Sequence, residues 1–145
     1  MRARVTGFED LERMLNKLAE PEKMAIKAVN EATPILERSL KTKVREAANR
    51  TDKKGQPYST GELADSIAAI PATENEYGVY SVVKANGTDS KGLRNVEKMA
   101  YLEYGVRSHG QEPHPVREPA VASCESDVLD TMEKIIYSEV DKFWL

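Results

Sequence analysis

The chain has 145 residues, of which 40 % are hydrophobic and 31 % are charged, and its net charge is −3. This length fits one domain with a sizeable core, so we expect a single domain over residues 1–145. The composition excludes a disordered chain, and no apolar run approaches the roughly 20 residues that a membrane-spanning helix needs. Cys124 is the only cysteine, which excludes an internal disulfide and favours a reducing compartment such as the cytoplasm.

Two helices are predicted in the first third of the chain. Thr6–Glu9 matches a helix capping box, and apolar residues follow it at helical spacing up to Leu18. A second helix is expected from about Glu22 to Ala48, where Pro34 removes one hydrogen bond and predicts a bend rather than a break. The expected buried stripe of this helix consists of Met24, Ala28, Ala32, Ile35, Leu36, Leu40, Val44 and Ala47.

A hairpin is predicted in the middle of the chain. The polar stretch Asn49–Ser59 is expected to be a loop, and Ser59–Glu62 offers a second capping box before a short helix. Ala68–Thr73 is expected to be extended, with Pro71 indicating a sheet edge. Tyr77–Lys84, rich in valine and tyrosine, predicts the partner strand after a turn at residues 74–76.

The last third predicts loops and two further helices. Ala85–Asn95 has no periodic pattern and is expected to be an exposed, mobile loop, whereas Val96–Tyr104 predicts a helix that Gly105 ends. Irregular chain should then lead to a C-terminal helix opening near Pro119. Its expected buried stripe is Val121, Cys124, Val128, Met132, Ile135, Ile136, Val140 and Phe143.

These elements predict an α+β fold, in which a small, mostly antiparallel sheet packs against a long kinked N-terminal helix and a C-terminal helix. Charge is distributed unevenly over the two helices. Arg38–Lys54 contains seven bases, and Glu118–Leu145 contains seven acids. The two stretches are either solvated helix faces or complementary patches that meet head-to-tail between subunits, and such contacts can close into a ring. The candidate interface residues are Lys41, Lys43, Arg45, Asp127 and Asp130.

No familiar catalytic motif is present, including phosphate-binding loops, HExxH and GxSxG. Glu103, His109, His114 and Cys124 could gather around a metal, and the first three would then serve a small metal-dependent hydrolase. The irregular spacing favours surface and turn roles for the histidines and a core role for Cys124. We therefore expect a protein without enzymatic activity, metal or cofactor.

The bases of Arg38–Lys54 could instead touch DNA phosphates, which would make the chain a DNA-associated accessory protein. However, the chain is net acidic, and no aromatic residues that could stack on bases are interleaved with these side chains. Sequence-specific DNA binding is therefore not favoured. Non-specific proximity to DNA remains open.

Two segments of the chain resemble a known family. The first segment, Tyr58–Ile67 (YSTGELADSI), is similar to the P-x-x-TG-x-L-x-x-SI segment of the tailed-phage neck and tail-completion family. The second segment, Ala100–Ala120, contains AYLEYG and PHPVREPA and is similar to the YA-x-x-x-E-x-GT … P-x-P-F-x-x-PA segment of the same family. Order and spacing agree, with Val106 and Val116 replacing the usual threonine and phenylalanine. The matching positions are Thr60, Gly61, Leu63, Ser66, Ile67, Tyr101, Glu103, Gly105, Pro113, Pro115 and Pro119.

The resemblance implies a structural protein that joins head to tail in the virion and is assembled in the host cytoplasm. It further implies a homo-oligomeric ring at the head–tail junction or the tail end, with other neck and tail proteins as partners. Physical roles are also available at these positions. Gly61 permits a tight turn, Leu63 and Ile67 share a helix face, and Glu103 can tie a helix end to a neighbouring loop.

Overall fold

A computed structural model describes Arg13, Asn16 and residues 20–50, 54–56 and 59–144. The predicted capping box at Thr6–Glu9 lies outside the described residues. The described part confirms the α+β fold, because a two-stranded antiparallel sheet packs with two long helices. Its elements are helix α1 (Pro21–Ala48), helix α2 (Glu62–Asp65), strand β1 (Ile67–Asn75), strand β2 (Gly78–Ala85), helix α3 (Asn95–Tyr104), a 3-10 turn (Arg107–His109) and helix α4 (Arg117–Trp144).

Helix α1 begins at Pro21, where the missing N–H of proline costs no helical hydrogen bond. It continues without a break through Pro34, as predicted. Four residues of the predicted stripe are confirmed as buried: Ala28 and Ala32 are almost fully buried, and Leu40 and Val44 lie in the core. Met24, Ile35, Leu36 and Ala47 are half-buried at the margins of that stripe.

The predicted hairpin is confirmed, with β1 and β2 pairing from Ile67 opposite Ala85 to Asn75 opposite Gly78. Pairing extends further than expected, so the turn consists of Glu76 and Tyr77 rather than residues 74–76. The register shifts between Ile70 and Thr73, around Pro71. A bulge accommodates proline there because proline has no N–H to give to a ladder.

The outer edge of β1 is covered by side chains of α1. The N–H of Ala69 donates to Oε2 of Glu37 at 2.9 Å, and the N–H of Ala72 donates to Oδ1 of Asn30 at 2.7 Å. Lys41 and the Ala69 N–H together hold the pKa of the Glu37 carboxyl below its usual value. This edge therefore has no free donor at either residue.

The core lies where the second half of α1 meets α2, the hairpin base, α3 and the start of α4. Ile67 and Val44 are its largest fully buried side chains. Leu63 and Ile67 are both buried in this core, but Ile67 belongs to β1 and not to α2, so the predicted shared helix face was wrong. The buried cluster consists of Leu40, Val44, Leu63, Ala64, Ile67, Ala85, Met99, Val116 and Ala120.

Helix α4 packs antiparallel along α1. Near its start, the Ser39 hydroxyl donates to the Ala120 carbonyl at 2.8 Å. Toward its other end, Glu139 pairs with Lys27 of α1 and, at 2.7 Å, with Lys142. Lys142 and Lys27 lower the pKa of Glu139 to about 2, so this carboxylate stays charged over the whole physiological range.

The predicted stripe of α4 was partly wrong. The helix begins at Arg117 rather than near Pro119, and Val121 and Ile136 are 45 % and 41 % exposed. The other members up to Val140 are confirmed, since Cys124 is buried and Val128, Met132, Ile135 and Val140 are half-buried. Ala120, which the predicted stripe omitted, is fully buried, and its small side chain lets α4 approach α1 closely. The side chain of Phe143, the last residue of the predicted stripe, lies outside the described ones.

Candidate functional site

Glu103, in the last turn of α3, is a buried acidic residue. Its Oε2 accepts hydrogen bonds from the backbone N–H of Val116 at 2.9 Å and of Arg117 at 3.3 Å. A helix N-terminus offers unpaired N–H groups and a favourable dipole for a carboxylate. Glu103 therefore fixes the start of α4 to the end of α3, which confirms the tie that its sequence position predicted.

Gly105 ends α3, as predicted, and allows the following loop to fold back on the helix. Its φ of 73° and ψ of 177° lie in a region that only glycine adopts readily. A Cβ at this position would lie 2.5 Å from the Gln111 carbonyl oxygen and 2.9 Å from the Pro113 nitrogen. The loop is held there by the His114 N–H, which donates to the Leu102 carbonyl at 2.7 Å.

The second capping box was wrong. Gly61, with a φ of 84°, precedes the first residue of α2, and no side chain caps the helix. The Thr60 hydroxyl oxygen instead accepts from the Glu62 N–H at 3.4 Å, only two residues away, so the box geometry cannot form. The Glu62 carboxylate is used elsewhere, accepting from the Ser90 N–H at 3.2 Å and from its hydroxyl at 3.3 Å.

The loop between β2 and α3, which was predicted to be exposed and mobile, is internally hydrogen-bonded. Oδ1 of Asp89 accepts from the N–H groups of Lys91 and Leu93, both at 2.9 Å, and its Oδ2 pairs with Lys98 at 2.9 Å. Lys98 and the Leu93 N–H hold the pKa of the Asp89 carboxyl below its usual value. The predicted exposure is confirmed for most of the loop, but its conformation is defined by Asp89.

A cleft of about 680 Å³ lies where the two segments meet. The end of α1 and the start of α2 form one side, and the loop around Asp89 with α3 and the 3-10 turn forms the other. Acids and bases are mixed in its lining, so it carries no strong field of one sign. The first segment contributes Ser59, Thr60, Glu62 and Leu63, the second contributes Tyr101, Leu102, His109, Gln111 and His114, and the remaining walls are Ala47, Ala48, Arg50, Asp89, Ser90, Lys91, Leu93 and Lys98.

The four residues considered as metal ligands are not brought together. The Glu103 carboxylate faces the start of α4, and Cys124 is buried on the face of α4 that packs inward. Nε2 of His114 contacts the guanidinium of Arg50. Because this guanidinium is positively charged, it disfavours a metal ion at the same nitrogen. The described residues hold no group of three or more His, Cys, Asp or Glu side chains arranged to share an ion.

The three basic candidates for an interface each have an acidic partner within the chain. Lys41 pairs with Glu37 at 2.7 Å, Lys43 pairs with Glu46 at 3.0 Å, and Arg45 pairs with Asp65 at 2.9 Å. These pairs reduce the positive potential that DNA phosphates would meet. On α4, Asp127 and Asp130 are exposed and have no hydrogen-bond partner among the described residues.

Sequence reasoning missed three contacts that shape the site. These are the Asp89–Lys98 pair, the contact of Arg50 with His114, and the α1 side chains that cover β1. An aspartate two and four residues before loop N–H groups was a readable signal for the turn at Asp89, but not for its pair with Lys98 nine residues away. The other two join residues that are far apart in sequence and carry no local signal.

No family model, curated protein or solved structure matches the chain. In the part of the chain that the structure describes, no helix is both long and apolar enough to span a membrane.

Proposed function

We propose that this chain is a structural assembly protein of a tailed phage or prophage, one subunit of a ring at the head–tail junction or the tail end. Its partners would be further copies and other neck and tail proteins, and its place would be the virion, reached from the host cytoplasm. The observation that supports this most is that the two segments carrying the resemblance line one cleft, although the first ends at Ile67 and the second begins 33 residues later, at Ala100.

The polar groups of the two segments support a scaffold role. Glu103 holds the start of α4, and the Ser66 hydroxyl donates to the Leu63 carbonyl at 2.7 Å. Gly105 is needed for a close backbone approach. These residues are used to fix elements relative to one another, which is what a subunit needs if it must present a rigid docking surface.

Exposed apolar side chains on α4 support association with other subunits. Leu129 is 57 % exposed, Ile136 is 41 % exposed and Tyr137 is 61 % exposed. Leu129 and Ile136, seven residues apart, lie on one helix face, and an apolar face that the described part of the chain leaves uncovered is typical of an interaction surface. The exposed acid Asp130 follows Leu129 directly and borders this face, whereas Asp127 lies on nearly the opposite side of the helix from Leu129.

The role can be tested in the phage genome that carries the gene. Deleting the gene is expected to abolish joined particles, because heads and tails assemble separately but lack the ring that connects them. Electron microscopy of the lysate would then show filled heads beside free tails, and expression of the chain from a plasmid should restore joined particles. A deletion strain that yields normal joined, infectious particles would show that the proposed function is wrong.

The charged candidates give a second test. Changing Lys41, Lys43 and Arg45 to glutamate is expected to weaken ring formation and make the remaining association less sensitive to salt, because the basic patch would no longer attract the acidic face of α4 on the next subunit. Sedimentation velocity at two salt concentrations measures both effects.

The matched control adds Asp127→Lys and Asp130→Lys to the triple variant, which is expected to restore association by reversing both patches together. Lys41→Glu also places like charges four residues apart with Glu37, so thermal unfolding of each variant must be compared. If the triple variant associates as the unchanged protein does, these charges are only solvated and play no part between subunits.

A further inference from the structure

The two edges of the hairpin differ in a way that the sequence does not reveal. Hydrogen-bonding directions alternate along an antiparallel strand. Since Ala69 donates away from β2, to Glu37, its cross-strand partner Val83 must point its own N–H and C=O away from β1. Ser81 and Val79 follow at intervals of two residues and point the same way.

This outer edge of β2 is open in the described part of the chain. No backbone hydrogen bond joins Val79, Ser81 or Val83 to a described residue outside the hairpin. The edge of β1, in contrast, is closed by Glu37, Asn30 and the bulge at Pro71. An open strand edge is a template for another strand, whereas a covered edge resists pairing.

One face of the hairpin is also apolar and exposed. Ile70, Tyr80 and Val82 are 40 %, 44 % and 41 % exposed, and they lie on the same face because Ile70 is paired with Val82 and Tyr80 is two residues away. The opposite face, which includes Val83, packs toward the core.

We propose that the open edge of β2 pairs antiparallel with β2 of a second copy of this chain, forming a four-stranded sheet across a twofold axis. Centring the pairing on Ser81 joins the outward-bonding residues to one another, Val79 with Val83 of the second copy. The same register places Tyr80 opposite Val82 of the second copy, an aromatic and β-branched pair that stabilises sheets. Lys84 falls opposite Gly78 of the second copy, so no like charges meet.

The closed edge of β1 decides which assembly the hairpin permits. Head-to-tail pairing of β2 with β1 of another copy is blocked by the side chains of Glu37 and Asn30. Only the self-complementary contact remains, and such a contact closes at two copies. The pairing therefore predicts a dimer that is separate from any ring and does not depend on the proposed function.

The test uses two double variants at exposed positions of the full chain. In the variant Tyr80→Glu with Val82→Glu, residue 80 of each copy faces residue 82 of the other, so two pairs of acids lie opposite each other. This variant is expected to weaken dimerisation by about tenfold or more. Tyr80→Lys with Val82→Glu places opposite charges across the axis twice, and is expected to restore the dimer. Sedimentation velocity over a range of protein concentrations measures the dimer, and thermal unfolding checks that both variants fold.

Amide hydrogen exchange supplies the second measurement. The N–H groups of Val79, Ser81 and Val83 are expected to become protected as the protein concentration rises. Three results would overturn the proposal: a protein that stays monomeric at every concentration, equal weakening in both double variants, or protection of these amides that is independent of concentration. The last result would mean that another part of the same chain covers the edge.

Discussion

Replacing Gly105 with alanine is expected to lower the free energy of unfolding by about 3–4 kcal/mol. The added Cβ would meet the Gln111 carbonyl oxygen at 2.5 Å and Pro113 at 2.9–3.0 Å. These neighbours are backbone and ring atoms that cannot rotate away, and the φ of 73° with ψ of 177° is strained for any other residue. Equilibrium unfolding in urea measures the loss directly.

Gly110→Ala is the matched control. Gly110 also has a positive φ, of 65°, but a Cβ there would meet no atom within 4 Å. Alanine in this ordinary left-handed conformation should lower the free energy of unfolding by only about 1 kcal/mol. The difference between the two variants isolates the close approach of the loop to the end of α3. Equal losses in both variants would contradict the close packing at Gly105.

Replacing Glu103 with alanine is expected to lower the free energy of unfolding by about 2–3 kcal/mol. The change removes the acceptor for the Val116 and Arg117 N–H groups, and Val116 is only 2 % exposed. It also removes a negative charge from the N-terminus of α4. Urea unfolding measures the loss, and faster hydrogen exchange at the amides of Val116 and Arg117 would locate it.

Two controls separate the effect of the hydrogen bonds to Glu103 from a general effect of charge at the start of α4. Glu118 is an exposed acid in the same first turn of α4, so Glu118→Ala should cost far less. Glu103→Gln keeps an oxygen acceptor without the charge and should fall between the two. If Glu103→Ala and Glu118→Ala lose the same stability, the hydrogen bonds of Glu103 contribute nothing beyond the dipole.

Much of the fold follows from local patterns. The run of valine and tyrosine in β2, the proline at the start of α1 and the glycine after α3 each predict an element or its end, because propensity and backbone geometry act over a few residues. The turn of the hairpin and the start of α4 were each misplaced by one or two residues.

The stripe of α4 shows where local patterns fail. The predicted stripe was right from Cys124 to Val140 except at Ile136, and it was wrong at its start, where Val121 is exposed and Ala120 is fully buried. Hydropathy favours the larger Val121, but α1 lies against the smaller Ala120, since close approach of two helices buries more surface. Which of these neighbouring residues is buried depends on the partner helix and cannot be read from α4 alone.

The site divides in the same way. The roles of Glu103 and Gly105 could be predicted, because a carboxylate and a glycine near a helix end have few physical uses. The protection of β1 could not, since it joins Ala69 to Glu37 and Ala72 to Asn30 over 32 and 42 residues. That protection decides which edge of the sheet is open, so the pairing surface emerges only from the folded chain.

The antiparallel packing of α1 and α4 also bears on how the chain is synthesised. Helix α4 follows every other described element, yet it contributes Ala120 to the cluster that contains Leu40 and Val44, and Val116 immediately before the helix joins the same cluster. While the ribosome is still adding α4, α1 and the hairpin have already emerged without the helix that covers them. The nascent chain therefore carries exposed apolar surface until α4 has been added and has packed, and chaperones that bind such surfaces have this interval in which to act.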